Sequence, residues 1–361
     1  MRIAQLAPLT ESVPPKGYGG TELVVSQLTE ELLRRGHNVT LFATGDSLTE
    51  AELISVAPRG LRMDAVPHHR WCAFETRLIL ELVRRQNEFD IVHNHLGFIA
   101  WPYLDKLNCP VVSTNHNPII DYCADIYLEF PHLPVIAISD AYKRLNYPNQ
   151  LNYVGRVYNA VGEDVFPREP ISPDVIGEQK DRDYLLFLGR VSHAKGTADA
   201  IKIARAVNLP LKIAGKVDAN DAEYFEQNIK DELHDGIEYI GEVGFQEKLN
   251  LYRKAKAVVY PIHFEEPFGL VMTEALAAGT PLVALDRGSV REILVDKVNS
   301  VVADSVDELI ARFGEVDRIK SSDCIAHARS FSVDRMTSSY EEIYRTVIAS
   351  GAGRKVAHAV S

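Results

Sequence analysis

Short apolar runs alternate with longer stretches whose apolar positions recur at helical spacing, from one end of the chain to the other. That is the pattern of parallel strands joined by crossover helices, so the fold class is α/β. In the first half it predicts strands at Ile3–Ala7, Asn38–Phe42, Asp90–His93, Pro110–Thr114, Val135–Ile138 and Tyr153–Tyr158. The helix predicted at Thr21–Arg35 shows the reasoning. Leu23, Val24, Leu28, Leu32 and Leu33 share one face, Arg34 and Arg35 suit the last turn, and Gly36 follows as a stop. Between Phe166 and Asp183 the periodicity lapses into Pro167, Pro170, Pro173, Gly177 and a charged run, the composition of a linker. Beyond it the alternation resumes, with strands predicted at Tyr184–Leu188, Leu211–Ala214, Ile237–Ile240, Ala257–Tyr260, Pro281–Ala284 and Ser300–Val302.

The length of 361 residues supports this division, because single cores stop growing near roughly 250–300 residues. Lys and Arg number 39 against 50 Asp and Glu, a formal charge of −11, which argues against a general nucleic-acid binder. Cys72, Cys109, Cys123 and Cys324 stand far apart with no C-x-x-C pair. Neither a disulfide framework nor a structural zinc site is expected, and a reducing cytoplasm fits. The first apolar run ends before Pro8 and Glu11, too early for a signal-peptide core. The longest, Phe268 to Leu285, is broken by Glu274, Gly279 and Pro281, so no membrane span is expected.

Ligands of open α/β sheets sit beyond the carboxyl ends of the strands, and the chemistry is sought there. Gly17-Tyr18-Gly19-Gly20-Thr21-Glu22 follows the first strand and opens a helix, so its N–H groups can face an anion; it reads equally as a surface turn. It is not a dinucleotide fingerprint, since Glu22 stands at the third glycine position. Gly189-Arg190-Val191-Ser192-His193-Ala194-Lys195-Gly196 follows the first strand of the second half. It lacks the Lys-Ser/Thr of a P-loop, but its two cations suit a diphosphate, whose charge grows as it departs; solvated cations are the alternative.

Glu265-Glu266-Pro267-Phe268-Gly269-Leu270 leads into an almost wholly apolar helix interrupted by Glu274. A buried carboxylate needs donors. Glu274 therefore either accepts hydrogen bonds from vicinal hydroxyls such as a ribose offers, or sits in an internal salt bridge with no ligand. Phe268, Gly269 and Leu270 offer backbone N–H groups at the helix start. His116 ends a first-half strand in Ser113-Thr114-Asn115-His116-Asn117, where a lone histidine is either structural or part of a site. His93-Asn94-His95 lacks companion metal ligands and is read as loop-ordering. Asp181-Arg182-Asp183 precedes a strand and is read as a solvated charge run.

Taken together, these residues resemble the retaining glycosyltransferases of family 4. The likeness runs through PPKGYGGTELVVSQLTEELLRRGHNVTLFATGDS, FDIVHNH, STNH, FLGRVSHAKG and FEEPFGLVMTEALAAGTPLVALDRGSVREI, the last containing an E-x7-E signature from Glu266 to Glu274. Within the family, the PP-x-GYGG loop resembles members that modify antibiotics and small metabolites. The resemblance implies a GT-B fold, two Rossmann-like parallel-sheet domains facing an interdomain cleft. The expected domains are 1–165 for the acceptor, 166–335 for the nucleotide sugar, and 336–361 as a C-terminal helix crossing back to the first domain.

The resemblance also implies roles for particular residues. Arg190 and Lys195, with Gly19 and Gly20, would bind the donor diphosphate; Glu274 the ribose; Glu266 the hydroxyls of the transferred sugar. His116 would lie near the scissile bond, and Phe268, Gly269 and Leu270 would give backbone contacts. Val243, in Gly241-Glu242-Val243, would meet the base. Asn159-Ala160 and Arg291-Glu292 depart from the family's Asn-Gly and Pro-Glu, and both are read as hinge or loop changes. The expected reaction moves a hexose from a UDP-sugar, UDP-glucose first and GDP-mannose next, to a soluble small-molecule or carbohydrate acceptor with retention. No cofactor is required and a divalent ion is optional. No nucleic-acid partner or membrane association is expected, in keeping with an acidic chain that gathers positive charge only locally. The rival readings are a sugar-nucleotide epimerase, a phosphorylase, an NAD-linked oxidoreductase with Asp46 as the ribose acid, and a non-catalytic sugar-nucleotide sensor. The broken glycine fingerprint speaks against the oxidoreductase, and the lack of a pyridoxal-binding signature against the phosphorylase.

Overall fold

A computed structural model describes residues 1–17, 19–162 and 182–350. Tyr18 and most of the linker expected at Phe166–Asp183 lie outside the described residues. Two compact units emerge, one of Met1–Asn159 with Val333–Ser361, the other of Ala160–Ser332. In the first, β1 (Arg2–Leu6), β2 (Asn38–Phe42), β3 (Glu52–Ile54), β4 (Ile91–Asn94), β5 (Val111–Thr114), β6 (Pro134–Ala137) and β7 (Asn152–Arg156) form a parallel sheet in the order β3-β2-β1-β4-β5-β6-β7. In the second, β8 (Tyr184–Leu188), β9 (Leu211–Ala214), β10 (Ile237–Gly241), β11 (Ala255–Tyr260), β12 (Leu282–Leu285) and β13 (Ser300–Ala303) are ordered β10-β9-β8-β11-β12-β13.

Every strand read from the apolar runs is present, with ends shifted by a residue or two. Strand β3 was not foreseen: three residues at a sheet edge carry no readable alternation. Its Glu52 is anchored by Arg85 at 2.9 Å and Thr40 at 3.1 Å. In each sheet the chain winds outward from the first strand in one direction and then resumes on its other side. The order thus reverses between β1 and β4, and again between β8 and β11. Crevices at the carboxyl ends of those strands are where such sheets take ligands.

The central strands are apolar along their length because helices cover both faces. On one face of the first sheet Leu6, Phe42, Leu78, Leu82, Val92, Trp101, Val111 and Val135 belong to one buried cluster. The helix Gly20–Arg34 buries Val24, Val25, Leu28 and Leu32, and Gly36 beyond it adopts φ +82°. The last helix, Val333–Ser350, belongs to the same unit and buries Met336, Tyr340, Tyr344 and Val347 at helical spacing. Arg35 fastens it by donating to Asp334 at 2.7 Å and Glu341 at 3.0 Å, and His37 meets Glu341 at 2.6 Å. Gly155 of β7 lets it lie close, since a Cβ there would stand 2.6 Å from Ile343 Cδ1.

Candidate functional site

The second unit gathers most of the expected residues at the carboxyl ends of β8 and β11. Arg190, just past β8, is held by Asp218 at 3.4 Å and Asp221 at 3.5 Å. Lys216 also reaches Asp218, at 2.7 Å. Burial works to raise the Asp218 pKa, but Lys216 and Arg190 overcome it and hold the carboxyl below its ordinary value. Lys195 precedes the helix Thr197–Ala206 and turns toward the loop after β11, where Nζ lies 3.3 Å from Glu266 Oε2 and 4.5 Å from the centre of the Phe264 ring. Tyr260, the last residue of β11, donates its hydroxyl to the same Oε2. Glu266 is buried, and these contacts leave its Oε1 for a further donor.

The Glu266 loop is fixed by residues that the sequence reading did not single out. Ser289 donates its N–H to the Glu266 carbonyl and its hydroxyl to the Phe268 carbonyl, both at 2.9 Å, while Gly288 N–H reaches Glu265 Oε2 at 2.7 Å. Gly288 has φ +60°, and a Cβ there would stand 2.3 Å from the backbone N and O of Glu266. A Gly-Ser pair just after a predicted strand was the available signal. Gly269 is the N-cap of the helix Leu270–Ala277 at φ +80°, where a Cβ would lie 2.7 Å from Met272 Cε. Helix geometry leaves the N–H groups of Leu270 and Val271 without intrahelical acceptors, beside Glu266 and Lys195.

Glu274 is buried in that helix and already partnered: Lys248 Nζ lies 2.6 Å from Oε1 and the buried Tyr252 hydroxyl donates to Oε2 at 2.9 Å. The internal salt bridge foreseen as one alternative is therefore formed, and each oxygen keeps a lone pair for another donor. Lys248 belongs to the helix Phe245–Lys254, which starts two residues after the half-buried Val243. The segment expected to meet a base thus leads directly into the helix that carries the clamp on Glu274. Arg190 is paired with carboxylates other than Glu266.

In the first unit, Gly19 is the N-cap of the helix that Gly20 begins. A Cβ on Gly19 would meet Pro15 Cβ at 2.8 Å. Glu22 in the first turn is buried, and desolvation pushes its pKa up to about 7, with the nearby Glu11 charge adding to the rise. His116 follows β5, and its Nε2 lies 2.9 Å from His95 Nδ1. Desolvation pushes the His116 pKa down to about 4 and holds His93 and His95 well below the ordinary histidine value. Both histidines of His93-Asn94-His95 are buried in the sheet rather than ordering a loop. Asn94 does that work, accepting from Leu96 N–H at 3.0 Å and donating to the Gly97 carbonyl at 3.3 Å.

Two other motifs read differently in the structure. Asp181 lies outside the described residues, and Arg182 is not solvated: it is buried and donates to the Gly279 carbonyl at 3.0 Å. Asp46 accepts from Thr44 of its own loop at 2.8 Å and from Lys16, in the loop after β1, at 3.4 Å, so its carboxylate is already engaged. Among the described residues no group of three or more His, Cys, Asp or Glu side chains is arranged to hold a metal ion, and no helix is long and apolar enough to cross a membrane.

Comparison with known proteins bears on both units. The family described as Glycosyltransferase Family 4 matches residues 18–157, and Glycosyl transferases group 1 matches residues 169–323. A D-inositol 3-phosphate glycosyltransferase of Saccharomonospora viridis is 25% identical, the alignment covering 99% of this chain and 97% of that protein. Among solved structures, AviGT4, a glycosyltransferase involved in avilamycin A biosynthesis, superposes with a TM-score of 0.73 at 24% identity, over 97% of this chain and 98% of that one. Anabaena HepE, in complex with UDP and glucose, superposes with a TM-score of 0.70 at 18% identity, over 96% of this chain and all of that one (100%).

Proposed function

Because the chain belongs to glycosyltransferase family 4 and carries the two Rossmann-like units of the GT-B fold, we propose that it transfers a hexose from a UDP-sugar to a hydroxyl of a soluble small-molecule or carbohydrate acceptor, with retention. The product would be an α-glycoside. The observation that carries this reading is the Lys195–Glu266–Tyr260 arrangement beside Gly269, at the point where the second sheet reverses its strand order. A carboxylate with one oxygen occupied by protein donors and the other open suits the hydroxyls of a sugar. The adjoining cation and helix N–H groups suit the phosphates behind it.

In this reading Arg190, Lys195 and the N–H groups of Phe268, Gly269 and Leu270 hold the diphosphate and stabilise the negative charge that grows on it as the glycosidic bond breaks. Glu274 receives the ribose hydroxyls on its remaining lone pairs, and the backbone at Val243 meets the base. The second unit is then the donor domain. The first takes the acceptor, with Gly19 and Gly20 reaching the diphosphate and His116 the transferred sugar. Glu266 binds and orients, already accepting from Lys195 and Tyr260, and is not assigned as a nucleophile. The acceptor hydroxyl attacks from the face the diphosphate leaves, its proton passing to the departing phosphate oxygen, so the anomeric configuration is kept. UDP is preferred over GDP because HepE, a structural relative, is seen with UDP and glucose.

A panel of UDP, GDP, ADP and NAD(P) tests the donor by thermal shift, and UDP is expected to raise the melting temperature most. A shift with NAD(P) alone would overturn the reading. Incubation of α-linked donor with acceptor panels should give an α-linked product by NMR, and a β-linked product would reject retention.

A further inference from the structure

The loops after β8 and β9 run side by side beyond the carboxyl ends of those strands. Gly189 N–H donates to the Ala214 carbonyl at 3.0 Å and Val191 N–H to the Lys216 carbonyl at 2.9 Å, so the pairing of β8 with β9 continues past both strands. Gly215 lies between those two bonds at φ +144°, where a Cβ would stand 1.9 Å from the Gly189 carbonyl oxygen. Only glycine lets the two segments come this close. Arg190 and Lys216 are thereby set on neighbouring segments, and both reach the carboxylate of Asp218.

The two cations hold Asp218 by different oxygens and with different tightness. Lys216 Nζ lies 2.7 Å from Oδ1, whereas Arg190 Nη1 lies 3.4 Å from Oδ2. The second carboxylate of Arg190 is no closer: Asp221 Oδ2 is 3.5 Å from Nε and is buried without a hydrogen bond. Lys216 is also the more enclosed cation, its side chain 17% exposed against 40% for Arg190. One short contact inside and two long ones outside make Arg190 the partner that can be exchanged. Two cations and two carboxylates cancel in this group. Without Lys216 it would carry one net negative charge, and Asp218 would have Arg190 alone to neutralise it among the described residues.

We propose that Lys216 is a positioning residue for the donor: by neutralising Asp218 it leaves Arg190 loosely held and available to a diphosphate. This rests on the reading of Arg190 as a diphosphate-binding cation. Lys216 acts through Asp218 and does not itself touch the donor. Arg190 has five N–H donors, so it keeps Nε toward Asp221 while its terminal nitrogens turn to the phosphates. As it turns, Asp218 retains a cation on Oδ1, and no unpaired carboxylate is left facing the phosphate charge. Lys216 thus removes the repulsion that would otherwise accompany the release of Arg190.

A double-mutant cycle on the full chain tests this, with calorimetry of UDP as the probe. Lys216→Met should weaken UDP binding about tenfold, and Lys216→Arg should bring it back to within about threefold of wild type. Asp218→Asn removes the charge that Lys216 neutralises, so in that background Lys216→Met should change the affinity by less than about twofold. A loss that persists in the Asp218→Asn background would show Lys216 acting on the donor directly or through its field alone, and would overturn the proposal. Unchanged affinity in Lys216→Met would overturn it too. Lys216→Gln carries the same cycle if Lys216→Met does not fold. A second readout is the Asp218 carboxyl, titrated by 13C NMR without UDP and assigned by its loss in Asp218→Asn. Against the pull of desolvation, Lys216 and Arg190 hold it below the ordinary aspartate value. It should rise in Lys216→Met, and no rise in the folded variant overturns the proposal. Failure of the wild type to bind UDP would instead sink the donor reading of the second unit, and the carboxyl titration would still decide whether Lys216 neutralises Asp218.

Discussion

Glu274 offers a direct separation of a structural role from a ligand-binding one, because its internal partners are known. In Lys248→Met, a nearly buried carboxylate keeps Tyr252 alone, and removing one partner of such a pair costs about 3 kcal/mol. In Glu274→Gln the amide oxygen still accepts from Tyr252 and Lys248 can turn to water, since its side chain is 19% exposed, so the loss should be about 1 kcal/mol. The double variant has no unpaired charge and should recover about 2 kcal/mol of the Lys248→Met loss. Affinity should rank the opposite way. Glu274→Gln loses charge-assisted hydrogen bonds to the ribose, about 1.5–3 kcal/mol, or about ten- to a hundredfold in Kd for UDP. Lys248→Met keeps the carboxylate and should bind UDP within about threefold of wild type. Urea midpoints give the first ranking and calorimetry the second. Unchanged UDP affinity in Glu274→Gln would show that the carboxylate serves only Lys248 and Tyr252, and would remove it from the site.

Two further predictions concern pH. His116 is lowered to about 4 from an ordinary 6.5, so below pH 6.5 the unfolded chain binds more protons; its contribution is full above pH 6.5 and lost as the pH falls through 4. Between pH 7 and 5 the wild type should therefore lose about 2 kcal/mol more than His116→Gln in urea unfolding, and equal losses would contradict this. Glu22 has the opposite sign. Raised to about 7 from 4.5, it binds more protons when folded, so its contribution is lost as the pH rises from 4.5 through 7. Glu22→Gln should match wild type near pH 4.5 and exceed it by about 3 kcal/mol at pH 8, and a pH-independent difference would refute the assignment. Gly288→Ala should cost about 2–4 kcal/mol and abolish donor binding, because its Cβ meets the Glu266 backbone. Gly36→Ala, at φ +82° in open space, should cost only about 1–2 kcal/mol, and equal losses would exclude the clash.

The strands were readable because each central one is a short apolar run buried on both faces, a signal that depends on local composition alone. The same property hid β3, whose Glu52 is fixed by Arg85 from a distant helix. The candidate site was legible where a polar group stands among apolar ones, as at Glu266 and Glu274. What could not be read was the partner of each such group. Lys248 lies on a different element from Glu274, and the His93 and His95 side chains meet Gln5 and Tyr344 only once β1, β4 and the last helix are assembled. Charge and spacing show that a buried carboxylate must be satisfied; they do not say by whom. The reading of His93-Asn94-His95 as loop-ordering holds for Asn94 alone for this reason, since only packing turns the two histidine side chains inward.

The net charge of −11 acquires a local meaning from these pairings. In the free protein the cations assigned to the donor already have carboxylates: Arg190 has Asp218 and Asp221, and Lys195 has Glu266. These contacts hold the cations in place, but they also lower the positive potential that a diphosphate would meet. On this assignment binding would be an exchange of anions rather than the filling of a bare positive pocket, with a net gain smaller than the charges alone suggest. At Glu266 the exchange has a chemical use. On that assignment, a diphosphate that draws Lys195 away from Oε2 leaves the carboxylate a stronger acceptor at its open Oε1 for the sugar hydroxyl. Diphosphate and sugar then favour each other's binding, so UDP alone engages the site less fully than a complete nucleotide sugar.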